Sequence, residues 1–183
     1  MRSIKMRAGA KPIGTAVTWA YPDGGAEYYS IPTYELTVSG KDSKGVSQER
    51  KFEVLRFGVH QNGKRGQAKV VGLADHQIHV IKAWLPDYTV HSASSPEKGA
   101  WQVYGNFLIH DGPDDPHRQV YASIGCIEIC GGPNGFVDFN DYLIQLSGPK
   151  SADRAKQLGE IGAARTISIE YEKASRPALR RYP

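Results

Sequence analysis

The stretch Phe107–Cys130, FLIHDGPDDPHRQVYASIGCIEIC, holds two short apolar runs separated by a connection rich in Gly, Pro and Asp. Phe107-Leu108-Ile109 and Ile127-Glu128-Ile129 are too short for helices, carry β-branched residues and are bounded by turn formers, so each reads as a buried strand. His110 closes the first run, and Cys126 stands just before the second, behind Ser123-Ile124-Gly125. Two such strands lying side by side bring an imidazole and a thiol together.

That pairing has a chemical use. The thiolate is the nucleophile, and a free cysteine is mostly protonated at neutral pH unless a base or a cation lowers its pKa. His110 is the candidate base and Cys126 the candidate nucleophile. Gly125 lets backbone approach a substrate closely, and the amides of Gly125 and Cys126 are candidates for an oxyanion site. All six histidines precede Cys126, which excludes an order with the base downstream of the cysteine. The plainer alternative is a core cysteine beside a surface histidine.

Outward from this stretch the chain reads as mostly strands. Ala16–Tyr21 is a first strand, followed by a turn at Tyr21-Pro22-Asp23-Gly24-Gly25. Tyr34–Ser39 and Lys51–Val59 alternate as hairpin partners around a polar loop at Gly40–Ser47, and Asn62-Gly63 marks another turn. Val70-Val71, Gln77–Trp84 and Thr166–Tyr171 are further strands. Helix signals come late: one short helix capped by Asp138 or Asn140 and stopped at Gly148-Pro149, and a second from the cap Ser151 to the stop Gly162. The expectation is a mainly β fold, a β-sandwich-like mixed sheet with one or two short helices. Residues 1–183 form a single domain, with 1–15 and 175–183 as loose termini.

No run approaches the ~20 apolar residues of a membrane-spanning helix. The start, Met1–Arg7, lacks the apolar centre of a signal peptide. A net charge of +4 suits an anionic polymer, although solubility alone accounts for it, and without concentrated basic clusters nucleic-acid binding is not expected.

The pattern Ile109-His110, a loop, then Ser123-x-Gly125-Cys126-Ile127 resembles the signature of the L,D-transpeptidase catalytic domain family. Upstream, Ser94-Ser95-Pro96-Glu97-Lys98-Gly99-Ala100-Trp101-Gln102-Val103 is similar to that family's TP-x-G-x-F/Y-x-V approach to the histidine. Downstream, Asp138–Leu143 and the strand at Thr166–Tyr171 are similar to the way the domain closes, so the resemblance covers about residues 75–172. It implies a cysteine acyl-transfer enzyme acting on peptidoglycan stem peptides. Cys126 would attack the carbonyl between the third residue, usually a diamino acid, and a terminal D-amino acid, with His110 as base and then acid. Water, a free D-amino acid or a second stem's amine would take the acyl group, giving L,D-carboxypeptidase, exchange or cross-linking activity. No cofactor or metal is implied.

Two positions depart from the family pattern. Ile124 stands where a histidine is common, so a second imidazole is missing or comes from His117. Glu128 stands where the family usually carries Arg or Asn toward a substrate carboxylate; an acid there repels a carboxylate and favours an ammonium group. Carboxylate recognition would then fall to Arg118, Lys98 or another cation. Tyr121 and Ser123, with Tyr104, are candidate pocket residues. Asp111 or another group of the DGPDDP run, or a backbone carbonyl, is a candidate to orient the imidazole, unless that run is simply a tight turn.

A wall substrate without a signal peptide suggests an antibacterial toxin delivered by a contact-dependent device such as type VI secretion, acting in the periplasm and countered by a cognate immunity protein. The alternatives are a non-catalytic cell-wall- or partner-binding β domain and a different thiol amide hydrolase. Trp84 and Trp101 read as core. His76, His79, Cys126 and Cys130 make only a weak zinc set. In one extended strand the two cysteines stand ~13 Å apart, too far for a disulfide unless the chain turns.

Overall fold

In the computed structural model, which describes residues 1–89 and 95–183, the chain is mainly β, as expected, with two helices. His91 and Ser94 lie outside the described residues. The sheet begins where the sequence reads as a loose end. β1 (Ile4–Ala8) alternates buried Ile4, Met6 and Ala8 with exposed Lys5 and Arg7. After β2 (Gly14–Trp19) and β3 (Tyr21–Pro22) comes β4 (Tyr28–Lys41), the longest strand at 14 residues. Its first part pairs with β2, and its second part pairs with β1 on one side and β5 (Ser47–Leu55) on the other. β4 thus serves two sheets.

The next strands are short: β6 (Gly58–Gln61), β7 (Lys69–Val71), β8 (Gln77–Val80), β9 (Ala83–Leu85), β10 (Ala100–Tyr104), β11 (Phe107–Asp111), β12 (Val120–Ala122) and β13 (Ile127–Ile129). Two runs that read as single strands are broken: Lys51–Val59 at Arg56-Phe57, and Gln77–Trp84 at Ile81-Lys82. After the helices come β14 (Ile167–Tyr171) and β15 (Arg180–Arg181). The main order is β8-β14-β1-β4-β5-β13-β11-β10-β9. β8 and β9 occupy opposite ends of that order yet are joined by two residues, and Lys82 N–H donates to the Gln102 carbonyl on β10. The sheet must therefore curl round on itself. β3, β6 and β7 form a separate small sheet.

α1 (Gly135–Ser147) repeats apolar residues at helical spacing and buries Phe136, Phe139, Leu143 and Leu146 in the main core with Val54, Ile109 and Ile129. Each such side chain contributes roughly 1.5–3 kcal/mol of burial. The helix starts earlier than expected, with Asn134 at its N-cap, so neither Asp138 nor Asn140 caps it; Gly148 ends it in the left-handed conformation at φ 68°. α2 (Arg154–Ala164) is capped by Asp153, whose side chain accepts from Lys156 N–H; Ser151 lies outside the helix. Gly162 is inside it rather than its stop, and glycine there permits close packing on β9, since a Cβ would fall 2.5 Å from the Trp84 backbone nitrogen.

Both termini correct the expectation of loose ends. β1 lies between β14 and β4, so the chain's start is a central strand. The tail is tied by β15 on β4 and by Arg176, which donates to the Val70 and Gly72 carbonyls. Among the described residues no helix is long and apolar enough to cross a membrane.

Candidate active site

β11 and β13 are parallel neighbours in the register Ile109↔Ile127, His110↔Glu128 and Asp111↔Ile129. In paired strands, residues opposite one another share a face and alternate residues return to it. One step back along this register Cys126 meets Leu108, and Leu108 N–H contacts the sulfur at 3.4 Å. Cys126, Glu128, Leu108 and His110 therefore lie on one face. The thiol donates to the Asn106 carbonyl at 3.7 Å.

The parallel pairing requires a crossover between His110 and Cys126. It runs through the DGPDDP turn, visits the second sheet as β12 beside β2, and returns at Ser123. The final bend is clamped by glycines. Val59 N–H donates to the Ser123 carbonyl, and a Cβ on Gly58 would fall 1.8 Å from that oxygen. Gly125 has φ +100°, and a Cβ there would fall 2.6 Å from Gly72 Cα. The left-handed backbone and the close approach each require glycine at 125. Its amide donates to the Ser123 hydroxyl at 3.4 Å, leaving that amide turned toward its own bend in this state.

His110 is 3% exposed. Its Nδ1–H donates to the main-chain carbonyl of Asp111 at 2.6 Å, which makes Nε2 the lone-pair nitrogen of the neutral ring. Asp111 thus orients the imidazole through its backbone, while its carboxylate accepts from Ser95 N–H; the Tyr121 hydroxyl reaches the same Asp111 carbonyl at 3.4 Å. Gly112 N–H continues the β11–β13 ladder by donating to the Ile129 carbonyl, and the run turns at its end, where Arg118 and Gln119 N–H both donate to the Asp115 carbonyl. The Tyr88 ring lies over His110, centroids 5.9 Å apart.

Cys126 is 3% exposed and sits in an apolar cluster with Ala100, Leu108, Leu85 and Tyr88. Burial, and secondarily the Glu128 carboxyl, push its thiol up to about 12, against the lowering effect of Leu108 N–H. At rest the thiol is protonated. Burial also holds the Glu128 carboxyl well above the usual range, opposed by a hydrogen bond from Ser123. Glu128 Oε1 is 3.9 Å from His110 Nε2, too long for a hydrogen bond, and Oε2 has no hydrogen-bond partner among the described residues.

Other expected residues are occupied elsewhere. His117 donates from Nδ1 to the Thr15 carbonyl and meets Glu53 at 3.0 Å, so its ring is committed to the second sheet. Arg118 is an exposed partner of Asp115. Ser123 is fully buried and Ile124 is exposed. Tyr104 stacks on His79 at 4.8 Å. His76 pairs with Glu170, and both cysteines are free thiols. Trp101 is fully buried and donates to Asn140.

Sequence reasoning named Lys98 and Asp111 but missed Tyr88, Arg154 and two of the glycines that frame the site with them. Lys98 and Asp111 line a cavity of about 110 Å³ together with Tyr88, Ser95, Glu97 and Gly99. Glu97 beside it is held by Arg154 from α2, at 2.6 Å, and by Asn140 from α1. Gly58 and Gly72 were visible as glycines, but their contact with the Cys126 bend is a property of the folded chain. Compared with protein-family models, curated proteins and solved structures, the chain matches none of them.

Proposed function

We propose that this chain is a cysteine acyl-transfer enzyme of L,D-transpeptidase type acting on peptidoglycan stem peptides. The observation that supports it is the parallel register of β11 and β13, which sets Cys126 and His110 on one face of adjacent strands behind a glycine bend. Cys126 Sγ attacks the carbonyl carbon before the terminal D-residue, and the thiol proton passes to His110 Nε2, the ring nitrogen opposite the Nδ1–Asp111 bond. The imidazolium returns that proton to the departing amine, leaving a thioester. Water, a D-amino acid or a second stem's amine then takes the acyl group. In the resting state Leu85, Leu108 and Tyr88 cover the thiol, so attack follows displacement of that cover by substrate.

With that substrate we propose that the activity is exerted in the periplasm, after delivery into a target cell as an antibacterial toxin, by type VI secretion or a similar contact-dependent device, opposed by an immunity protein. The test is mass spectrometry of purified tetra- and pentapeptide muropeptides incubated with wild type and with Cys126→Ala, with and without a D-amino acid. Loss or exchange of the terminal D-residue, or a new cross-link, is expected from wild type and abolished by the substitution. Routed to the periplasm of a test bacterium, wild type should kill and the alanine variant should not. Unchanged muropeptides with folded protein would overturn the reading. They would favour a non-catalytic wall- or partner-binding domain, or an unrelated amide substrate, for which the sealed, protonated thiol is the supporting observation.

A further inference from the structure

Glu128 is a buried acid that, among the described residues, has no cationic side chain closer than the His110 imidazole at 3.9 Å. The contrast with two other acids of the chain is direct. Glu97 is met by the Arg154 guanidinium and the Asn140 amide, and Glu53 by His117 and the Thr33 hydroxyl. Glu128 has the Ser123 hydroxyl, an imidazole at 3.9 Å and one oxygen, Oε2, sealed from water with nothing among the described residues to accept from. An unmet buried acceptor is costly, and leaving it so in a strand that flanks a thiol calls for a ligand-based explanation.

We propose that Glu128 is the ammonium-binding residue of this site, receiving a primary ammonium group carried by the compound on which Cys126 acts. Three features argue for it. The register puts Glu128 directly across from His110 and two residues from Cys126 on the same face, so a group docked on it lies beside the reacting atoms. An ammonium N–H supplies both the missing donor for Oε2 and the positive charge that a buried carboxylate requires, with release of the carboxyl proton to solvent. Docked there, the cation also offsets the carboxyl's effect on the thiol, which ties nucleophile activation to the presence of the right ligand. As substrate recognition this rests on the acyl-transfer reading. It then selects stem peptides with a free amine on the third residue's side chain, or an amine acceptor, over anionic analogues.

The test has an arm independent of catalysis. Folded protein is treated with methanethiosulfonates bearing an aminoethyl, a methyl or a sulfonatoethyl group, and modification is mapped to Cys126 by peptide mass. Wild type should react at least about tenfold faster with the ammonium reagent than with the sulfonate, relative to free cysteine, and Glu128→Gln should bring that ratio to the free-cysteine value. Absence of a preference in wild type, survival of the preference in Glu128→Gln, or no reaction of Cys126 with any reagent while the folded protein persists would overturn the proposal. A second arm compares hydrolysis of tetrapeptides with a free or an acetylated side-chain amine. Acetylation should raise KM about tenfold in wild type and little in Glu128→Gln. If the reagent preference holds but acetylation changes nothing, the ammonium belongs to the acceptor. If the preference holds and no muropeptide is processed, Glu128 stands as a cation site and the acyl-transfer reading falls.

Discussion

Arg56 and Glu128 are sealed from solvent to the same degree, 0% and 1% exposed, and the chain treats them in opposite ways. Arg56 interrupts the run that becomes β5 and β6. Its Nε and both terminal nitrogens donate to the carbonyls of Ala8, Gly9, Leu73 and Glu172, while Tyr34, Phe57 and Tyr171 set their rings 5.5–5.9 Å from the guanidinium carbon. One side chain thus ties the end of β1, the segment after β7 and the segment after β14. Among the described residues Glu128 has no closer cation than the His110 ring at 3.9 Å, and one of its oxygens is unmet. A buried cation with every donor satisfied holds a fold together; for the buried acid beside a nucleophile the proposed role is instead to receive a ligand's charge.

The largest effect that would break this comparison is at Arg56. Arg56→Met keeps much of the volume but strips the donors from four carbonyls, one on the last residue of β1 and one on the residue after it. Stability should fall by about 3–5 kcal/mol. Urea unfolding should show a lower midpoint with an unchanged slope, and Arg56→Lys should recover only part of the loss because an ammonium cannot reach all four acceptors. A variant as stable as wild type would mean that those bonds are incidental.

Glu128 should respond in the other direction, and with pH. Its folded carboxyl is held well above its ordinary value by burial, so between about pH 4.5 and the folded value the native state keeps a proton that the unfolded chain has lost. Its stabilising contribution is complete below the unfolded pKa and declines as pH rises through the folded one. For a single group the slope is at most about 1.4 kcal/mol per pH unit. Glu128→Gln removes this titration, so the stability of wild type relative to the variant should fall as pH rises from about 4.5 to 7. A constant difference across that range would show that Glu128 is met by a charge in solution and would remove the contrast with Arg56.

The two regions also differ in how far the sequence announced them. The strand–loop–strand reading of Phe107–Cys130 and the alternation at Tyr34–Ser39 and Thr166–Tyr171 carry their own evidence, because burial on one face leaves a period of two. The pairing of His110 with Cys126 on one face follows from spacing plus a parallel register. What stayed hidden depends on partners distant in sequence. Ile4–Ala8 alternates as plainly as any strand, but five residues settle into a sheet only when β4 and β14 flank them. Arg180–Arg181, in a stretch with prolines and exposed charge, is held by β4. The cover over Cys126 comes from β9, the segment after it, β10 and β11, and the carbonyls around Arg56 from three separate segments. No local window contains either set.

His117 supplies the smallest effect and marks the surface limit of the comparison. Its ring is pinned by the Thr15 carbonyl and Glu53, and the first of these, with the Glu53 carboxylate, raises its pKa above the ordinary value. A raised histidine contributes stability that is complete below about pH 6.5 and lost as pH rises through the folded value. Half of the side chain is in water, so screening holds that contribution below about 0.5 kcal/mol. His117→Gln should therefore leave midpoints at pH 8 nearly unchanged, with a small loss at pH 5.5 that shrinks in high salt. A salt-insensitive loss as large as that of Arg56→Met would place His117 among the interior anchors of the second sheet, and the boundary between buried and surface charge drawn here would have to move outward.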